Sequence, residues 1–187
     1  MNARTLYDMT EQNNGVIFLE EDTFNELIVM KASRKNPKIG DVFVVQPLPE
    51  VYYCGHVIET NIQSKNPFIN GMCLVFIYNY KTIKPVLPSA EALERNGLLI
   101  PPVVINYQGW TKGYYLTIGN IALEQMKNKF DYGFWSTTTR RYYSTTGEEL
   151  KHKPEYRDIY GLASYGYIGR TIHRLLNDLE LFEVEDI

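Results

Sequence analysis

The sequence predicts an α+β fold made mainly of antiparallel β-strands, with a curved sheet or small open barrel, a short connector helix and an amphipathic C-terminal helix. Three observations predict it. Strand-like apolar runs joined by short turns recur between residues 41 and 147. Tyrosine supplies 15 of the 187 residues, and tyrosine is a strand former that tolerates half-exposed faces. The one sustained helical period is at the C-terminal end, where Ile168, Ile172, Leu175, Leu176 and Leu179 recur between polar residues such as Arg170, Arg174 and Asn177.

The elements follow in order. "VIFLEED" (16–22) and "FNELIVM" (24–30) are apolar runs whose period fits a strand or a helix equally, and "KASRKNPK" (31–38) is a basic link with nothing to bury. "DVFVVQ" (41–46) and "VYYCGHVIE" (51–59) form a hairpin around "PLPE", because prolines lack the amide a central ladder needs. "SKNPFING" (64–71) is a loop, and "MCLVFIYNY" (72–80) reads as a central strand covered on both faces. "PSAEALERNG" (88–97) is the connector helix, with Ser89 as N-cap, Glu91 in the first turn and Gly97 just past the end. "PPVVINYQGWTKGYYLTIGN" (101–120) reads as a second hairpin: Val103, Ile105 and Tyr107 alternate before the turn "QGWTKG", and Tyr115 and Thr117 after it. Residues 130–147 give one more aromatic and Thr-rich strand pair, and Gly55 and Gly133 inside strands suit curvature. The length fits one domain, 1–187, with a core over 38–182 and an N-terminal extension, 1–37, of undetermined structure.

A net charge of −3 argues against a nucleic-acid binder, which needs a basic domain or a dense Lys/Arg stripe. The acidic residues gather near the two ends, Asp8 to Glu26 and Asp178 to Asp186, where they solvate the chain or meet a basic partner. Cys54 and Cys73 sit in apolar strands, the setting of buried free thiols in a reducing compartment. No apolar run is long enough to span a bilayer, and the first residues lack a secretory h-region. A cytoplasmic protein without membrane partners is the expectation.

Few patterns carry chemistry. Cys54 and His56 share a strand face, but residues two apart in a strand are separated by about 7 Å, while a thiolate–imidazolium pair needs about 3 Å. With Cys73 they contain zinc-ligand types but no compact ligand repeat. Structural burial is favoured, and a small enzyme or metal-binding protein using Cys54 and His56 stays open as the alternative. His152 reads as exposed and His173 as the edge of the apolar helix stripe. Nucleophile-elbow and nucleotide-binding patterns are absent, so no catalytic residue, metal or cofactor is expected. Three adjacent tyrosine pairs, Tyr52–Tyr53, Tyr114–Tyr115 and Tyr142–Tyr143, should each point one ring inward and one outward. Tyr52, Tyr114, Tyr142 and above all Trp110, in a turn with little core to enter, are candidate partner anchors.

The segments "PKIGDVFVVQPLPEVYYCGHVIE", "CLVFIYNY" and "PPVVINYQGWTKGYYLTIGN" resemble the immunity protein 26 family, through Gly40-Asp41-x-Phe43 opening one strand and Gly55-x-Val57 on the return strand. The likeness runs loosely over 38–182 and does not reach residues before about 31. It implies an antitoxin of bacterial polymorphic-toxin and contact-dependent competition systems, which binds and neutralises a cognate toxin without catalysis. It transfers no catalytic or cofactor residue. If the toxin is a nuclease with a basic groove, the acidic end holding Asp178, Glu180 and Glu183 is a candidate contact. Asp41 is expected to bond amides at the strand start.

Overall fold

The computed structural model describes residues 27–184, with side chains as far as Asn177. The apolar run 16–22 lies outside the described residues, as do the first residues of 24–30. Leu27 to Met30 form no regular element; Leu27 is buried and the Ile28 amide donates to the Gln46 carbonyl at 2.7 Å.

Nine strands and three α-helices make up the described chain: β1 (Asp41–Leu48), β2 (Val51–Glu59), β3 (Cys73–Thr82), α1 (Ala90–Glu94), β4 (Leu98–Ile105), α2 (Gln108–Thr111), β5 (Tyr115–Asn120), β6 (Tyr132–Ser136), β7 (Arg141–Tyr143), β8 (Glu149–Leu150), β9 (Tyr156–Ile159) and α3 (Tyr167–Val184). They form a five-stranded antiparallel sheet in the order β4-β3-β2-β1-β5 and a four-stranded sheet in the order β8-β7-β6-β9. Neither sheet closes into a barrel. Every ladder of the larger sheet carries a register shift, which bends and twists strands. Pro47 sits in β1 at one such shift, where a missing amide costs no ladder bond. The connector helix forms as its sequence indicates: Ser89 Oγ accepts the Ala92 amide at 3.2 Å, and Gly97 takes φ +67° beyond the end.

The expected hairpin over 101–120 does not form. β4 pairs with β3 and β5 with β1, so the two runs lie at opposite edges of the sheet. β3, whose first six residues are apolar and buried, needs a partner on each side, which β2 and β4 supply, and that leaves the open edge of β1 for β5. "QGWTKG" is mostly a helical turn, α2, whose Trp110 is anchored in the core. The expected strand pair over 130–147 forms as β6 and β7, joined by β8 and by β9, which runs parallel to β6. "YRDI" is too short and too polar to read as a strand from its pattern.

The larger sheet is buried on both faces. One face carries Phe43, Val45, Tyr53, Val57, Cys73 and Val75, packed under Trp110 and under Ile168 and Ile172 of α3. The other carries Val42, Val44, Cys54, Leu74, Phe76 and Tyr78. It is covered by Ile62 and Ile69 of the 60–72 loop, Leu93 of α1 and Phe134 of β6.

The Gly40-Asp41-x-Phe43 and Gly55-x-Val57 pattern acquires a structural reason at each position. Gly40 has φ +85°, and a β-carbon there would lie 2.9 Å from the Ile121 carbonyl oxygen. Asp41 Oδ2 accepts the Lys38 amide at 2.9 Å, so it closes the strand-start turn. Phe43 stands directly opposite Gly55 and lays its ring over it, and Val57 is fully buried in the same core.

Candidate functional site

Cys54, His56 and Cys73 are all fully buried, and they do not form a site. Cys54 belongs to the core on one face of the sheet and Cys73 to the core on the other, so the sheet itself separates the two sulfurs. Burial pushes both thiols up to about 12, and Cys73 donates its S–H to the Ile105 carbonyl at 3.4 Å. A thiol so held is almost wholly protonated near neutral pH, the opposite of an activated nucleophile.

His56 is fixed by one bond, Nε2–H to the Ile121 carbonyl at 2.9 Å. A carbonyl can only accept, so Nδ1 is the unprotonated nitrogen, and it is buried with no partner among the described residues. Burial lowers the affinity of the ring for a second proton. The Ile121 and Gly40 backbone groups and the charge of Asp41 oppose that shift only partly, and the facing Tyr78 ring brings no charge. The unfolded chain, with an ordinary histidine near 6.5, therefore takes up the proton first as pH falls. Stability is unaffected by His56 above that pH and falls below it, by up to about 1.4 kcal/mol per pH unit. His56→Gln keeps a donor for Ile121. In urea unfolding between pH 7 and pH 5, the wild type is expected to lose more stability than this variant; equal losses would show that His56 does not titrate in this way.

The other histidines are structural. His152 pairs with Asp131 at 2.7 Å on the surface, and that bond lowers the Asp131 carboxyl. His173 Nε2 donates to the Pro47 carbonyl at 3.1 Å and so ties α3 to β1.

Trp110 is not at an exposed tip. It is 1% exposed, its indole lies edge-on to Phe43 and Tyr115 at 5.0 and 5.1 Å, and its Nε1–H donates to Thr117 Oγ1 at 3.1 Å. An indole with both its faces and its donor satisfied inside the fold has nothing left to offer a partner. Tyr52 and Tyr114 are half-buried beside the buried Tyr53 and Tyr115, the alternation expected of strand pairs, and Tyr114 stacks on Tyr165 at 5.9 Å. In the third pair both Tyr142 and Tyr143 are half-buried. Asp178, Glu180 and Glu183 fall on the last part of α3, beyond the described side chains.

Tyr142 joins a larger surface. On the outer face of the small sheet, Leu150, Tyr142, Trp135 and Ile159 stand in one row across β8, β7, β6 and β9, because each is directly opposite the next. The Trp135 and Tyr142 rings meet at 4.9 Å and both stay half-exposed, while Ile159 is 57% exposed. Their strand neighbours Tyr132 and Phe134 point the other way, into the core. Leu150 and Pro154 close over Gly133 beside this row, and Arg157, opposite Gly133, lies on the same face. A tryptophan–tyrosine pair flanked by aliphatics and an arginine is the composition of an interface anchor. Trp135 was not singled out from the sequence. The signal available there was its alternation with Phe134, which makes one of the two face outward.

No described helix is long and apolar enough to cross a membrane. Neither the curated proteins nor the solved structures contain a match to this chain. The family model described as immunity protein 26 matches residues 38–142. The matched stretch runs from the turn before β1 to Tyr142 in β7, so it holds the whole five-stranded sheet and both Trp135 and Tyr142, while the flanking Leu150 and Ile159 lie beyond it. It covers more than half of the chain, and with the glycine and phenylalanine positions of its opening hairpin it establishes that this protein belongs to the immunity protein 26 family.

Proposed function

We propose that the protein neutralises a cognate bacterial toxin by binding it, without catalysis, and that the outer face of the small sheet is the anchor. The observation that carries this reading is the Trp135–Tyr142 row: a half-exposed aromatic surface on a fold whose Gly40, Asp41, Phe43, Gly55 and Val57 serve the turn and the core. A stoichiometric inhibitor needs a stiff scaffold and a complementary surface, and rigid anchors lose little entropy on binding. The alternative, an enzyme or metal protein using Cys54 and His56, is disfavoured because neither side chain reaches solvent and Cys73 faces the opposite core. The acidic end with Asp178, Glu180 and Glu183 fits a basic substrate groove, so a nuclease is the toxin class this reading favours. Action inside the cell that carries the protein, in the cytoplasm, is part of the same reading.

The experiment is co-expression with the toxin encoded beside the gene, with growth as readout and affinity measured on purified proteins. Cys54→Ala is expected to protect fully. Trp135→Ala and Tyr142→Ala are expected to weaken binding at least about tenfold each, on the order of 1.4 kcal/mol, with little change in melting temperature. Loss of protection in Cys54→Ala at unchanged stability would restore the enzyme reading, and unchanged affinity in both aromatic variants would remove this face.

A further inference from the structure

The net charge of −3 conceals a segregation. Residues 27–177 hold 18 Lys and Arg against 11 Asp and Glu, a surplus of seven positive charges, while residues 1–26 and 178–187 each carry five net negative charges. The folded body is basic. Part of that charge lines a groove of about 400 Å³ between β5 and the link 31–38. The link is pinned at both ends of β5. The Met30 and Lys31 amides donate to the Gly113 carbonyl at 2.8 and 3.2 Å, and Asn120 Nδ2 donates to the Ile39 carbonyl at 3.2 Å. Between these points the link arches away from Tyr115, Leu116 and Thr117, and exposes Lys31, Lys35 and Lys38 along one wall. None of the three lysines is ion-paired with a described residue. The carboxylate present, Asp41, is already engaged by the Lys38 amide and by Asn120 Nδ2 at 3.0 Å. The other wall is an edge strand, hydrogen-bonded among the described strands to β1 alone, so alternate backbone groups on its outer side have no strand partner among the described residues.

We propose that this groove receives an acidic, extended segment of the protein partner, a second contact separate from the Trp135–Tyr142 face. The proposal rests on the toxin-binding reading and adds to it the chemistry of the bound segment. Unpaired lysines on one wall match carboxylates, and the open backbone of β5 matches peptide N–H and C=O groups. A nucleic acid fits less well. The aromatic in the groove, Tyr115, is 1% exposed with its hydroxyl bonded to the Tyr165 carbonyl at 2.9 Å, so it offers no ring for a base to stack on.

The test uses the full chain, and its first arm needs no toxin. Thr117 lines the groove and accepts the Trp110 indole N–H, which makes that N–H a reporter in ¹H–¹⁵N spectra; Trp135, on the small sheet, is the internal control. A hexaglutamate peptide at low ionic strength is expected to shift the Trp110 signal saturably and to leave Trp135 unmoved. Lys31→Glu/Lys35→Glu/Lys38→Glu is expected to weaken the response at least tenfold and to weaken toxin protection as well. Absence of a shift, persistence of it in the triple variant, or binding of an oligothymidylate of equal charge as tightly as the peptide would each overturn the proposal. So would a Trp110 signal moved by Glu20→Gln/Glu21→Gln/Asp22→Asn/Glu26→Gln without peptide, since the groove would then hold the chain's own acidic segment. A triple variant that protects as well as wild type removes this groove and leaves toxin binding intact; a wild type that protects against nothing removes toxin binding itself.

Discussion

Trp110→Ala is expected to lower stability by about 3–5 kcal/mol, the cost of deleting a large aromatic from a core. For a chain of this size that corresponds to a drop in melting temperature on the order of 10 °C. The indole joins Phe43 of β1 and Tyr115 of β5 and sits in the segment that carries the chain from one edge of the larger sheet to the other. Its loss leaves a cavity under α3, beside Ile168 and Ile172, and leaves Thr117 Oγ1 without its donor. Thermal unfolding checks it. A variant with the wild-type melting temperature but weakened partner binding would mean that Trp110 spends its time outside, as an anchor.

Gly55→Ala is expected to cost about 1–3 kcal/mol through overpacking, although alanine is the smallest possible addition. The new methyl would fall 2.3 Å from Phe43 Cζ and 2.6 Å from both neighbouring ring atoms. The ring cannot retreat, because Trp110 and Tyr115 stand against it at 5.0 and 5.3 Å. Gly55 needs no special backbone conformation, so the cost is one of space alone. A double-mutant cycle makes the cause visible. In Phe43→Leu/Gly55→Ala the damage should be smaller than the sum of the two single effects, since leucine vacates the space the methyl takes. Additive losses would place the strain elsewhere.

Gly55 and Phe43 also show what was legible in the sequence. Their strands were readable from alternation and from a proline-bounded turn, and so were the doubly buried β3, the Ser89-capped connector helix and the amphipathic α3, because each is written in local pattern. The partnering of β4 and β5 was not. Alternation reports that a run is a strand but not which neighbour it takes, and the decision lay in a distant fact, the open edge of β1. The place of Trp110 depends on the same fact: a tryptophan in "QGWTKG" reads as exposed at a hairpin tip, and is a core residue because the segment crosses the sheet. Trp135 does not stand out in the sequence because its neighbours Phe134 and Tyr132 are aromatic too, and the pairing of β6 with β7 and β9 shows which rings face out. The basic character of the body was present in the sequence all along, hidden by acidic ends that cancel it in the net charge.

A protein that acts by binding alone, in fixed proportion, shows it in a titration. Purified protein is added to a fixed amount of active cognate toxin and the residual toxin activity is followed to completion. Loss of activity that is linear in added protein, ends at a fixed whole-number ratio and returns when the complex is dissociated is the predicted result. Toxin inactivated by a small fraction of an equivalent, or left permanently altered after the protein is removed, would show turnover and contradict it.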